Sequence, residues 1–199
     1  DISTRKGVER VIRYAFEYAR KHGRKKVLMA DKSNVMSYAG GLWQRVFQSA
    51  AKEYADITPQ HMYVDALCLQ MVREPQSLDV IVTNNMFGDI ITDLAAALQG
   101  GLGMAASGNI HPGRTSMFEP VHGSAPPLAG KNVANPMGAI LSGAMMLEHL
   151  GFAVEARRLE AAVAEAVKEK MLTPDVGGNK GTREVAAWIA KETAKRQNG

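Results

Sequence analysis

Between residues 8 and 98 the apolar pattern alternates between a spacing near 3.6 and short apolar runs bounded by turn-forming residues, which restricts the chain to a few α/β architectures. Val8, Val11, Ile12, Ala15, Phe16 and Ala19 form a helical stripe over residues 8–22, with Ser3 or Thr4 as candidate cap and Gly23 as stop. Lys26 to Ala30 reads as a short buried strand, and Leu42 to Tyr54 returns to helical spacing through Val46, Phe47, Ala50 and Ala51. A strand near His61 to Val64, a helix from Asp65 to Arg73, a strand at Asp79 to Thr83 and a helix from Gly88 to Leu98 follow. This alternation predicts a sheet with much parallel pairing, in which ligands gather at the carboxyl ends of strands. Lys32, Asp65 and the run from Asn84 to Asp89 fall at such ends.

Past Gly100-Gly101-Leu102-Gly103 the composition changes. A loop rich in Ser, Asn, His, Pro and Gly runs to Asn135-Pro136, with one strand expected at Ser116 to Val121. Loops that long inside a compact domain are usually functional. Three helices are expected at 137–149, 153–171 and 181–196, and a domain change near residue 100 divides the chain into 1–99 and 100–199.

Of 199 residues, 46% are hydrophobic and 22% charged, a balance that supports a buried core and argues against disorder. The net charge of +4 comes from Lys and Arg scattered along helical surfaces without aromatic interleaving, so nucleic acid is not an expected partner. The longest nearly uninterrupted apolar run, Met137 to Leu147, is shorter than the roughly 20 residues a membrane span needs. Cys68 stands alone among Ala66, Leu67, Leu69 and Met71, which predicts a buried structural thiol and a reducing, cytoplasmic location. The chain opens on Asp1 with helical sequence almost at once, so it is expected to be a fragment.

Asp89 and Asp93 stand four apart in an expected helix and share one face, with Cβ atoms roughly 5–6 Å apart. Two carboxylates there repel unless a divalent cation joins them, and hard oxygen donors suit Mg2+ or Mn2+. Placement of Asp89 in a first helical turn and exposure of Asp93 is the plainer reading of the pair alone. Asp65 is either a helix cap or a third ligand. Lys32 is either a surface residue or, beside a cation, a usable base near neutral pH. In Glu119-Pro120-Val121-His122-Gly123-Ser124-Ala125-Pro126 the small residues allow a ligand to approach the backbone closely.

Together these motifs resemble the isocitrate/isopropylmalate dehydrogenase family from about residue 5 to 190, most specifically through the run Asn85 to Asp93 and on to Gly103. The resemblance implies an isopropylmalate dehydrogenase-like two-domain α/β fold with a mixed, largely parallel sheet, of which this chain is the C-terminal part. Residues 1–99 would belong to the central dimerisation and metal-site domain and 100–199 to the cofactor-binding domain. Asp89 and Asp93 would bind Mg2+ or Mn2+ in one subunit of a homodimer, while Asp65 and the base Lys32 would come from the neighbour.

The implied reaction is NAD-dependent oxidative decarboxylation of a small 2-hydroxy acid. Lys32 would take the hydroxyl proton, hydride would pass to the nicotinamide, and the metal would stabilise the enolate. Gly103, Glu119, His122, Gly123, Ser124, Ala125, Asn135 and Asp175 match the family's dinucleotide contacts. Pro127 stands where the family usually places an aspartate or a lysine, so discrimination between NAD and NADP should be weaker than usual. Val35, in Asp31-Lys32-Ser33-Asn34-Val35, resembles the isopropylmalate branch and would border an apolar substrate group. Tartrate/D-malate, homoisocitrate and a non-catalytic regulatory subunit are the alternatives.

Overall fold

The computed structural model describes residues 2–196, which form two compact units that meet in sequence between Ala95 and Ala96. In the first unit, helix α1 (Arg5–Lys21) starts where the Thr4 hydroxyl accepts a hydrogen bond from the Gly7 amide at 3.2 Å. Strand β1 (Lys26–Asp31), helix α2 (Ser37–Ala51), strand β2 (Thr58–Tyr63), helix α3 (Val64–Arg73), strand β3 (Val80–Val82) and helix α4 (Asn85–Leu98), whose last turn carries the boundary, follow. The sheet order is β2-β1-β3, and β1 is parallel to both neighbours, with Asp31 in register with Tyr63 and Met29 with Val82.

The unbroken apolar run of β1 is explained by its two buried faces. Val27 and Met29 pack with Ile12 and Phe16 of α1, Trp43, Val46 and Phe47 of α2, and Val82. Leu28 and Ala30 join a second cluster with Leu67 and Met71 of α3 and Ile91 of α4. At the centre of the first cluster Phe16 stacks on Phe47 and Tyr54, with ring centroids 5.4 and 4.8 Å away. Cys68 is only half-buried beside the second cluster, so the fully buried thiol expected from its neighbours is not found. Its helix turns Leu67 and Met71 inward instead.

Two helices begin earlier than the apolar spacing predicts. Helix α2 starts at Ser37 and includes Gly40, where a Cβ would lie 2.5 Å from the Ser33 Cβ, so glycine there reflects close packing rather than a helix break. Helix α4 starts at Asn85 because the Asn84 carboxamide oxygen accepts from the Phe87 amide at 2.9 Å. Asp89 is therefore not a first-turn residue, and a helix-dipole explanation for it does not hold.

In the second unit, β4 (Ala106–Asn109) and β5 (Met117–Pro120) form an antiparallel ribbon. Strand β4 was not expected, since Ala-Ser-Gly-Asn carries no β-branched or aromatic residue. Helices α5 (Met137–His149), α6 (Ala153–Lys168) and α7 (Thr182–Lys195) enclose Met137, Ala162, Val163, Ala166, Val185 and Ile189. Helix α6 stops three residues before the expected position, and Lys170 takes a left-handed φ of 55° just beyond it. Among the described residues no helix is long and apolar enough to cross a membrane.

Truncating Phe16 removes the ring that joins α1 to α2. Phe16→Ala should lower the unfolding free energy of the full-length protein by about 3–5 kcal/mol, measured by urea unfolding. Val35→Ala, at a side chain 71% exposed, should stay within about 0.5 kcal/mol of the parent.

Candidate functional site

Because β1 and β2 run in parallel with Asp31 opposite Tyr63, the residues that follow them emerge side by side. Lys32 follows β1, and Asp65 lies in the first turn of α3, whose cap is Tyr63 rather than Asp65. The Lys32 Nζ is 2.7 Å from the Asp65 Oδ1 and 5.8 Å from the centre of the Tyr63 ring. The ammonium holds the Asp65 carboxyl below its usual range, and the backbone amides of Asp65 and Ala66 act in the same direction. The Asp65 side chain remains 67% exposed and available to a further partner.

The turn carrying Lys32 is anchored by Asp31, which is buried. One Asp31 oxygen accepts from the Ser33 amide at 3.1 Å and from His61 Nε2 at 2.9 Å, and the other accepts from Gln44 Nε2 at 2.9 Å. Donors from the turn, α2 and β2 thus converge on one carboxylate, which fixes the His61 proton on Nε2. Val35 lies on the same turn, its amide donating to the Lys32 carbonyl at 2.9 Å, with its side chain in solvent. The indole N–H of Trp43 is buried without an acceptor among the described residues, beside a small space also lined by Asp31, Lys32 and Asn84.

Asp89 and Asp93 are both exposed on α4. Among the described residues no three His, Cys, Asp or Glu side chains close on one point, so Asp65, Asp89 and Asp93 do not make a three-carboxylate site within one chain. The arrangement offers two oxygen donors on a helix face, and separately a lysine–carboxylate pair.

The second unit contains a cavity of about 610 Å³, the size of a small-molecule site. Gly103, Asn135 and Asp175 line it together with His122, Gly123, Ser124 and Ala125, whereas Glu119 does not and stands on β5 opposite Ser107. The Asp175 carboxylate accepts from the Thr173 hydroxyl at 2.6 Å and from Asn135 Nδ2 at 3.2 Å, while Asn135 Oδ1 accepts from the Met137 amide at 3.0 Å. A Cβ on residue 103 would lie 2.5 Å from Asp175 Oδ2 and 2.8 Å from the Asn135 Cβ, so only glycine lets this backbone meet those side chains. His122 Nδ1 donates to the Gly123 carbonyl at 2.9 Å, and Ala125 takes a left-handed φ of 42° before the single turn Pro126–Leu128. Leu128, Val133 and Arg183 also line the space; the motifs do not reveal them.

Comparison with known proteins gives one consistent answer. The profile of the isocitrate/isopropylmalate dehydrogenase family matches residues 1–189. The 3-isopropylmalate dehydrogenase of Corynebacterium kroppenstedtii is 52% identical over 191 residues, covering 95% of this chain and 54% of that protein. The 3-isopropylmalate dehydrogenase of Archaeoglobus fulgidus is 50% identical over 189 residues, covering 95% of this chain and 58% of that protein. The crystal structure of isocitrate dehydrogenase from Methylococcus capsulatus superposes with a TM-score of 0.91 at 48% identity, covering 96% of this chain and 57% of that one. The chain therefore spans little more than half the length of these relatives.

The depressed Asp65 titration should be visible directly. In a carboxyl NMR titration its midpoint should fall below the ordinary aspartate value, and Lys32→Met should move it upward. Since the folded value is the lower one, the pair's contribution is complete above the unfolded pKa and vanishes as pH falls through the folded one. An unchanged midpoint in Lys32→Met would show that the ion pair is not its main cause.

Proposed function

Because the chain belongs to the isocitrate/isopropylmalate dehydrogenase family, we propose that the protein containing it oxidatively decarboxylates 3-isopropylmalate, with NAD as hydride acceptor. The observation that carries this reading is the 2.7 Å contact between Lys32 and Asp65, which presents a proton-transfer group and a hard oxygen donor as one piece. The names of the two relatives favour 3-isopropylmalate over other 2-hydroxy acids, and the exposed Val35 on the Lys32 turn offers apolar contact to its isopropyl group.

On this reading Lys32 acts as the free amine, the form a divalent cation beside it would favour over the ammonium paired with Asp65, and takes the proton of the substrate hydroxyl at Nζ. Asp31 holds the turn that aims it, through the bonds to Ser33, Gln44 and His61. Asp89 and Asp93 would hold a Mg2+ or Mn2+ ion, and their paired oxygen donors on an exposed helix face fit such an ion. When bound, the cation stabilises negative charge developing on the substrate oxygens.

Two observations favour a homodimer in which Lys32 and Asp65 of one copy complete the Asp89–Asp93 site of the other. Asp65 does not join the two α4 aspartates within its own chain. In addition, α3 and α4 expose Leu69, Val72, Met86 and Ile90, side chains 52–59% accessible, on the helices that bear the three aspartates.

The cavity of the second unit suits NAD. Its glycines and small residues permit close backbone approach, and Leu102, Leu128 and Val133 supply apolar wall. Gly103, His122, Gly123, Ser124, Ala125, Asn135 and Asp175 would contact the dinucleotide. Glu119 stands on β5 outside this wall.

In the full-length protein, 3-isopropylmalate with Mn2+ should drive NADH formation. Asp89→Ala combined with Asp93→Ala should lower turnover about a thousandfold or more. Wild-type turnover in that double variant would overturn the metal assignment. The 199-residue chain on its own should form no NADH, and robust activity would show that the remaining part of the protein is dispensable.

A further inference from the structure

Besides His122, two residues with ionisable side chains line the cavity of the second unit, Asp175 and the solvent-exposed Arg183, and they are in opposite situations. Both Asp175 oxygens are engaged, one by the Thr173 hydroxyl and the other by Asn135. The Arg183 guanidinium has no hydrogen-bond or ion-pair partner among the described residues.

Its backbone is nevertheless held tightly. The Arg183 amide donates to Asn132 Oδ1 at 3.0 Å, and the Thr182 amide donates to the Asn132 carbonyl at 3.0 Å. The Thr182 hydroxyl donates to the Ala134 carbonyl at 2.5 Å. Asn132 itself takes a left-handed φ of 57°, which turns its carbonyl and its side chain toward the start of α7. The first turn of α7 is thereby stitched to the wall segment Asn132–Ala134, and the point where the arginine stem leaves the backbone is set.

The position runs against local preference. Arg183 lies in the first turn of a 14-residue helix, where the helix dipole disfavours a cation, and the Thr182 and Arg183 amides are already taken by Asn132. An anion in the cavity would offset that cost through the guanidinium itself. Five donors in a planar fork match the oxygens of a phosphate, and no carboxylate in the wall other than the engaged Asp175 opposes one.

We propose that Arg183 is the phosphate-pairing residue of this cavity and engages a phosphate of the bound dinucleotide. The inference rests on reading the cavity as the dinucleotide site. Two phosphates qualify: the pyrophosphate bridge common to NAD and NADP, and the 2′-phosphate unique to NADP.

The test is to titrate the full-length protein with NAD, with NADP and with adenosine, which has no phosphate, comparing the parent with Arg183→Gln and Arg183→Lys. Arg183→Gln should weaken at least one dinucleotide about tenfold, the size of one charge-assisted contact, while adenosine and the melting temperature stay unchanged. Arg183→Lys should recover part of the loss. Equal weakening of NAD and NADP assigns the pyrophosphate, and weakening of NADP alone assigns the 2′-phosphate. Unaltered affinity for both overturns the role of Arg183. A Gly103→Val control separates this from failure of the cavity reading: if it leaves dinucleotide binding intact, the site lies elsewhere and the proposal falls with it.

Discussion

The parallel pairing of β1 with β2 on one side and β3 on the other is the constraint from which the first unit follows. Val27 and Met29 enter one core while Leu28 and Ala30 enter another, so a shift of one residue would place every side chain of β1 in the wrong cluster. With that register secured, the turn bearing Lys32 and the helix bearing Asp65 leave the sheet at the same carboxyl end. Asp31 fastens the exit by accepting from the turn, α2 and β2 simultaneously.

The two acidic residues beside Lys32 play different physical parts. Asp31 is 4% exposed and its oxygens are occupied, so it belongs to the framework. Asp65 is largely in solvent, where an ion pair contributes little to stability because water and salt screen it. The Lys32–Asp65 contact therefore contributes little as a brace for the fold, which is compatible with the ligand role proposed for it. A similar contrast holds in the second unit, where Asp175 is tied to Thr173 and Asn135 while Arg183 is anchored only through its backbone.

Much of the first unit was legible because strand and helix periods differ and each buried face repeats several times. The ends of elements were less so. Gly40 looks like a helix breaker until Ser33 is seen packed against it, and Asn84 is an ordinary polar residue until its side chain caps Phe87. Strand β4 had no periodic signal and exists through its pairing with β5. Within the candidate sites, the small-residue stretch His122 to Ala125 announced itself by composition. Arg183 did not, since its place in the wall depends on a hydrogen bond to Asn132 spanning 51 residues of sequence. Glu119, marked by motif alone, lies outside that wall.

The separation of the Lys32–Asp65 pair from Asp89 and Asp93 has a genetic corollary if the proposed dimer exchanges them. Each active site would draw on two chains, so a copy defective at Lys32 and a copy defective at Asp89 would each form inactive dimers alone. Mixed together, they would leave one of the two sites in each heterodimer with every functional group present. Two lesions in the same coding sequence would then rescue one another, behaving as though they lay in different genes.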